Sequence, residues 1–196
     1  ADGPPGALPA AHGQHDASGL LHPVALLFAH HMHFPLRGDL QRHGVQAHLH
    51  PGLPQQLDRT VTNEKAAWVK TFQDLTAVID SMGHCLFTSF AMGAKDYTDL
   101  LNAATGTNWT IEQVLEIGDR IYNIERMFNK AAGMKPEDDR LPKRLLEEPV
   151  VNGPSTGMTS KLPLTLPEYY EARGWVNAFP TDETLKKLGL DECVGK

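Results

Sequence analysis

The sequence predicts an all-α fold: an irregular multi-helix domain with a long Pro/Gly-rich arm, preceded by a poorly ordered N-terminal segment. Three observations predict it. Apolar residues recur at three- and four-residue steps through Trp68, Phe72, Leu75, Ile79 and Met82, the spacing of one helix face. A second, wider stripe of Ile111, Val114, Leu115, Gly118, Ile121, Tyr122 and Phe128 has the same period. No stretch alternates apolar and polar residues as a half-buried strand does.

The elements follow in order. Residues 1–50 contain no Glu, Lys, Ile, Asn, Thr, Tyr, Trp or Cys, yet hold nine of the ten histidines. Folded segments seldom omit so many residue types. Three readings stand side by side: a biased tail, translation of a GC-rich stretch in the wrong frame, or a metal-binding tract around His30-His31-Met32-His33. A short helix over 20–32 is allowed. The division falls at 1–52, low-complexity, and 53–196, helical. Asn63 caps a helix running to about Met82, and Gly83 is its left-handed stop. A second short helix starts near Cys85 and carries Phe87, Phe90 and Met92. Another spans 96–104 and closes at Gly106. Thr110 and Gln113 have capping-box spacing, and Gly133 ends the helix they open. Gly118 on its stripe implies close approach of another backbone. Glu125 on the same stripe needs a partner such as Arg120 or an outside group, while its neighbour Arg126 points elsewhere. Five prolines make 134–164 an irregular arm. Thr165 and Glu168 open a short helix that ends at Gly174-Trp175. Thr181 caps a last one to Leu188, with Gly189 as the stop.

A net charge of −6 argues against nonspecific nucleic-acid binding, which needs a basic face to displace counterions. No apolar run approaches the roughly 20 residues that span a bilayer. The longest candidate, around 24–28, has no basic region before it, so neither a membrane span nor a secretion signal is expected. Cys85 and Cys193 are the two cysteines. Nothing suggests an oxidising compartment, and a reduced cytoplasmic protein is the expectation.

Chemistry concentrates in Asp80-Ser81-Met82-Gly83-His84-Cys85. An acid at a helix C-terminus opposes the dipole, so helix stability does not explain Asp80. Alone, Cys85 would read as a small buried hydrophobe. A carboxylate that accepts paired N–H donors, a glycine and a thiol within six residues suggest instead one side of a cofactor site. No Gly-rich phosphate loop, CxxC pair or Ser–His–Asp set competes with it.

This run resembles the second pterin-binding motif of the tungsten-containing aldehyde ferredoxin oxidoreductases, Asp-x-x-Gly-Leu-Cys. The resemblance extends to the helix over 65–79, to Phe87-Thr88-Ser89-Phe90, and to 99–106, 118–129, 138–144 and 168–175, and covers about 53–190 in order. It implies the C-terminal part of an oxidoreductase that converts aldehydes to carboxylic acids with ferredoxin as acceptor. It implies a tungsten or molybdenum bis-pterin and a [4Fe–4S] cluster. Asp80 would accept hydrogen bonds from the pterin, Gly83 would let the backbone approach it, and Cys85 would ligate one iron. His84 stands where the family has Leu, where it would disturb packing against the pterin or add a donor near the cluster and raise its potential. The implied partners are the missing N-terminal portion of the enzyme, ferredoxin and a small aldehyde, with a homodimer allowed. The family chain is far longer, so this chain is expected to be inactive alone. The competing expectation is a non-catalytic helical interaction module that has lost its cofactor.

Overall fold

Helix α1 (Lys65–Ser81) is the axis on which the other elements assemble. The structure is a computed structural model that describes residues 62, 65–90, 92–153 and 155–196. The His30–His33 tract, the helix over 20–32, the Asn63 cap and the boundary near 52 lie outside the described residues.

The all-α expectation holds. After α1 come a 3-10 turn (Leu86–Phe90), α2 (Ala94–Thr105), α3 (Ile111–Ala131), a second 3-10 turn (Pro136–Asp138) and α4 (Lys143–Glu147). They are followed by α5 (Leu162–Arg173), a hairpin of β1 (Trp175–Val176) and β2 (Phe179–Pro180), α6 (Asp182–Lys187) and a closing 3-10 turn (Asp191–Cys193). α1 packs chiefly on α3 and α5. Leu75 and Ile79 of α1 meet Ala94 and Tyr97 of α2, with Phe72, Ile111 and Leu115 against them. Ala66 and Val69 pack with Tyr169 and Trp175. A third cluster joins Met127 of α3 to Leu185, Leu188 and Leu190.

Gly118 is where α3 crosses α1. A Cβ there would lie 2.0 Å from the Asp74 carbonyl oxygen, so only glycine permits this approach. The Thr110 capping box forms as expected: Gln113 N–H donates to the Thr110 hydroxyl at 3.3 Å, and Thr110 N–H donates to Gln113 Oε1 at 2.9 Å.

Several boundaries differ from expectation. α2 begins at Ala94 because Asp96 sits one turn in, where its carboxylate accepts from Gly93 N–H at 2.7 Å. α5 begins at Leu162, not Thr165, because Pro163 fits a first helical turn, whose amides need no partner. Pro167 therefore falls inside the helix, on an exposed position. The hairpin was not foreseen. Its turn is Asn177-Ala178, both at positive φ (49° and 68°), and it lacks the glycine that advertises such turns.

A buried ion network ties the three main helices together. Arg173 of α5 has a fully buried side chain. Its guanidinium donates to Asp74 of α1 at 2.6 Å, Asp119 of α3 at 2.9 Å and Gln73 Oε1 at 2.7 Å. Lys70 bridges Asp74 and Asp119, at 2.8 Å to each. Burial pushes the Asp74 carboxyl above its ordinary value, against the pull of Arg173 and Lys70. Arg126 points into the structure: it donates to the Ala178 carbonyl at 2.8 Å, pairs with Asp139 of the arm, and lies over the Trp175 ring. Tyr170 donates to the same Asp139 carboxylate at 2.6 Å. The arm's first segment is thereby pinned to α3 and α5.

Candidate functional site

The apolar stripe of α1 ends at Ile79, and the next residue, Asp80, faces solvent. The chain then closes a two-bond C-terminal lock. His84 N–H donates to the Ile79 carbonyl at 3.1 Å and Gly83 N–H donates to the Asp80 carbonyl at 3.0 Å. This is the Schellman pattern, which needs a left-handed residue, and Gly83 supplies it at φ 73°. The lock folds the backbone back so that Asp80 and Cys85 flank a single hydrogen bond, Ile79 to His84.

Cys85 is exposed. Its carbonyl accepts from Thr88 N–H at 3.0 Å and from the Thr88 hydroxyl at 2.7 Å, which starts the Leu86–Phe90 turn. The short helix expected at Cys85 is thus a 3-10 turn, and Met92 lies beyond it. His84 is half-buried, with its ring edge-on to Tyr97 at 5.9 Å. The Tyr97 hydroxyl shares a 2.7 Å hydrogen bond with Thr88. Tyr97 of α2 therefore braces both sides of the cysteine. No atom outside its own chain neighbours lies within 4 Å of where a Gly83 Cβ would be, so the backbone there is open to approach.

Asp80 has no hydrogen bond or ion pair among the described residues. Partial burial nevertheless raises its carboxyl above the ordinary value. Glu125 of α3 is raised too, by desolvation first and then by the Asp80 charge. The expected Glu125–Arg120 pair does not form among the described residues. Glu125 instead lies in the field of the Asp80 charge, a proximity across helices that was missed in the sequence. The only signal for it was Gly118, which brings α3 against α1. Phe128, expected in the core stripe, is 72% exposed.

Among the described residues no group of three or more His, Cys, Asp or Glu is arranged to hold a metal ion. Cys193 packs against the α3–α6 cluster and does not join Cys85. No helix of the described residues is long and apolar enough to cross a membrane.

Comparison with known proteins assigns most of the chain to a family. Residues 27–190 match the family model described as aldehyde ferredoxin oxidoreductase, domains 2 and 3. The chain belongs to the aldehyde ferredoxin oxidoreductase family. The matched span opens inside the His-rich segment, ahead of residue 53, where the resemblance read from individual residues starts. The tungsten-containing aldehyde ferredoxin oxidoreductase of Pyrococcus furiosus is 51% identical over 144 residues, 72% of this chain and 24% of that protein. Those of Pyrococcus abyssi and Thermococcus kodakarensis are each 49% identical, over 73% of this chain and 24% of theirs. The chain thus spans about a quarter of the length of the curated relatives it matches. A solved structure, the active site complex BamBC of benzoyl coenzyme A reductase with 1,5-dienoyl-CoA, shares the fold. Its TM-score is 0.56 at 22% identity, over 73% of this chain and 21% of that one.

Proposed function

We propose that this chain forms one wall of a metallopterin and [4Fe–4S] site in an enzyme that oxidises aldehydes to carboxylic acids. The observation that carries the proposal is the exposed, unpaired set at the end of α1. Asp80 has no partner among the described residues, Gly83 leaves open space, and the Cys85 thiol is accessible. These groups suit a ligand arriving from outside the chain. A carboxylate accepts two N–H donors of a planar edge in charge-assisted bonds, and Asp80 is free to do so for a pterin. The Schellman lock fixes the backbone on either side of Gly83, so the pterin meets a rigid surface. Cys85, held between the lock and the Thr88 bonds, supplies one thiolate to the cluster. His84, whose ring meets Tyr97 edge-on, would stand beside the pterin.

A bound tungsten or molybdenum pterin would supply the two-electron oxidation of the aldehyde, with the cluster delivering the electrons to ferredoxin. This chain's residues hold and orient. One accessible cysteine is too few for a cluster that takes four ligands in the usual case. The remaining ligands come from the N-terminal portion that the relatives carry. On this reading the matched span needs those further ligands for activity.

The test is anaerobic co-expression of the chain with a second polypeptide, the part of the Pyrococcus furiosus relative ahead of the matched span. Tungstate and iron are supplied, and aldehyde-dependent reduction of a viologen dye is followed. Asp80→Ala is expected to lower turnover at least tenfold and to reduce the pterin retained. Wild-type turnover in that variant would contradict the proposal. A complex that forms but holds neither pterin nor iron would favour the non-catalytic module.

A further inference from the structure

Cys85 sits between two residues that a single side chain of α2 touches. Tyr97 is fully buried and packs in the cluster of Leu75, Ile79 and Ala94. Its ring meets the His84 ring edge-on at 5.9 Å, and its hydroxyl lies 2.7 Å from the Thr88 hydroxyl. Ile79, in the same cluster, is the residue whose carbonyl accepts from His84 N–H at 3.1 Å and closes the end of α1. One tyrosine thus reaches both the helix end ahead of the cysteine and the turn after it.

The direction of these hydrogen bonds follows from counting protons. A hydroxyl has one proton to donate and lone pairs to accept with. The Thr88 hydroxyl gives its proton to the Cys85 carbonyl, at 2.7 Å. It can meet Tyr97 only as an acceptor, so Tyr97 is the donor. The bonds run from Tyr97 O–H to Thr88 Oγ1, and from Thr88 O–H to the Cys85 carbonyl, which also accepts from Thr88 N–H at 3.0 Å. Both O–H···O lengths are those of well-formed bonds, and bonds in series polarise and strengthen one another. With His84 N–H held on one side and the Cys85 carbonyl on the other, the backbone that carries the thiol is fixed at both ends. The sulfur itself stays exposed.

We propose that Tyr97 is a positioning residue for Cys85: its buried hydroxyl, acting through Thr88, fixes the cysteine backbone so that the thiolate meets the cluster iron in one orientation. The proposal rests on the function given above, in which Cys85 is a cluster ligand. Groups that hold a metal ligand in place tune its bond to the metal without touching it. A tyrosine kept for packing needs its ring, and a tyrosine kept for position needs its oxygen. Tyr97→Phe separates the two roles, because it keeps the ring contacts with Ile79 and His84 and removes the donor.

The test uses the full chain, co-expressed anaerobically with the N-terminal part of the Pyrococcus furiosus relative. Tyr97→Phe, Thr88→Val and Thr88→Ser are compared with Thr98→Val, which removes a buried hydroxyl of the same helix that donates to the Ala94 carbonyl at 2.8 Å. Thr88 is half-buried, so Thr88→Val breaks the relay without opening the core and carries the test if Tyr97→Phe does not fold. Two signals are read: the rate at which a chelator removes iron from the complex, and the EPR spectrum of the reduced cluster. The removal rate is expected to rise about threefold or more in Tyr97→Phe and Thr88→Val, less than the roughly tenfold that follows loss of a bond to the ligating group itself. Their EPR spectra are expected to shift from wild type. Thr88→Ser, which keeps the hydroxyl, and Thr98→Val are expected to match wild type in both signals. Wild-type rates and spectra in a folded Tyr97→Phe, or in Thr88→Val, overturn the proposal and leave the site reading standing. Equal changes in Thr98→Val also overturn it, since they mark lost packing of α2 and not lost position. A wild-type complex that holds no iron removes the site reading, and this proposal with it.

Discussion

Arg173 shows how much of this fold rests on single charged groups. A fully buried guanidinium with two carboxylates, a glutamine oxygen and a tyrosine around it leaves those groups stranded when it is removed. Breaking one partner of a buried pair costs about 3–5 kcal/mol, so Arg173→Ala should destabilise by that amount in urea unfolding. The exposed Lys95–Asp99 pair is the control, and Lys95→Ala should leave the midpoint unchanged. Glu125 gives a pH prediction. Its carboxyl is raised from the ordinary 4.5 by desolvation and by Asp80, so above 4.5 the folded state binds more protons than the unfolded state. Stability then falls as pH rises through the window between the ordinary and raised values. Glu125→Gln should match wild type below that window and exceed it above, in denaturation curves taken across pH. A pH-independent difference would contradict this. At this scale the sequence revealed what is contiguous. Asp80, Gly83 and Cys85 stand within six residues, and the glycine stop between them formed where its spacing put it. Arg173 did not reveal its partners, nor Glu125 its nearness to Asp80, because those lie on other helices and no local pattern encodes the meeting.

Helices were legible where local chemistry and packing agree. The Thr110–Gln113 box and the glycine stop after α1 are backbone bonds made by near neighbours, and both formed where the spacing put them. Thr110→Ala should cost about 1 kcal/mol, read as a lower urea midpoint. Gly118 was legible as a close approach but not as a contact with Asp74. A methyl there meets rigid backbone, so Gly118→Ala should cost about 3 kcal/mol, the upper part of the overpacking range, by the same measurement. The β1–β2 hairpin was illegible because its strands are two residues long and its turn uses Asn-Ala. The exposure of Phe128 was illegible for another reason. Periodicity tells that a stripe wants cover and is silent on whether the cover lies within the same chain.

At the scale of the whole molecule, the described residues form three apolar clusters and a buried ion network. Among the described residues the core clusters and ion network close internally, while the end of α1 leaves Asp80 without a partner and Cys85 exposed. That asymmetry agrees with a chain matching domains 2 and 3 of its family and about a quarter of its relatives' length. The central claim is that Cys85 contributes a cluster ligand to a shared site. It is tested most directly by iron and acid-labile sulfide per complex, after anaerobic co-expression with the relative's N-terminal part, for wild type, Cys85→Ser and Cys193→Ser. The account predicts that Cys85→Ser loses or degrades the cluster while Cys193→Ser keeps it. Full iron and sulfide in Cys85→Ser would contradict it.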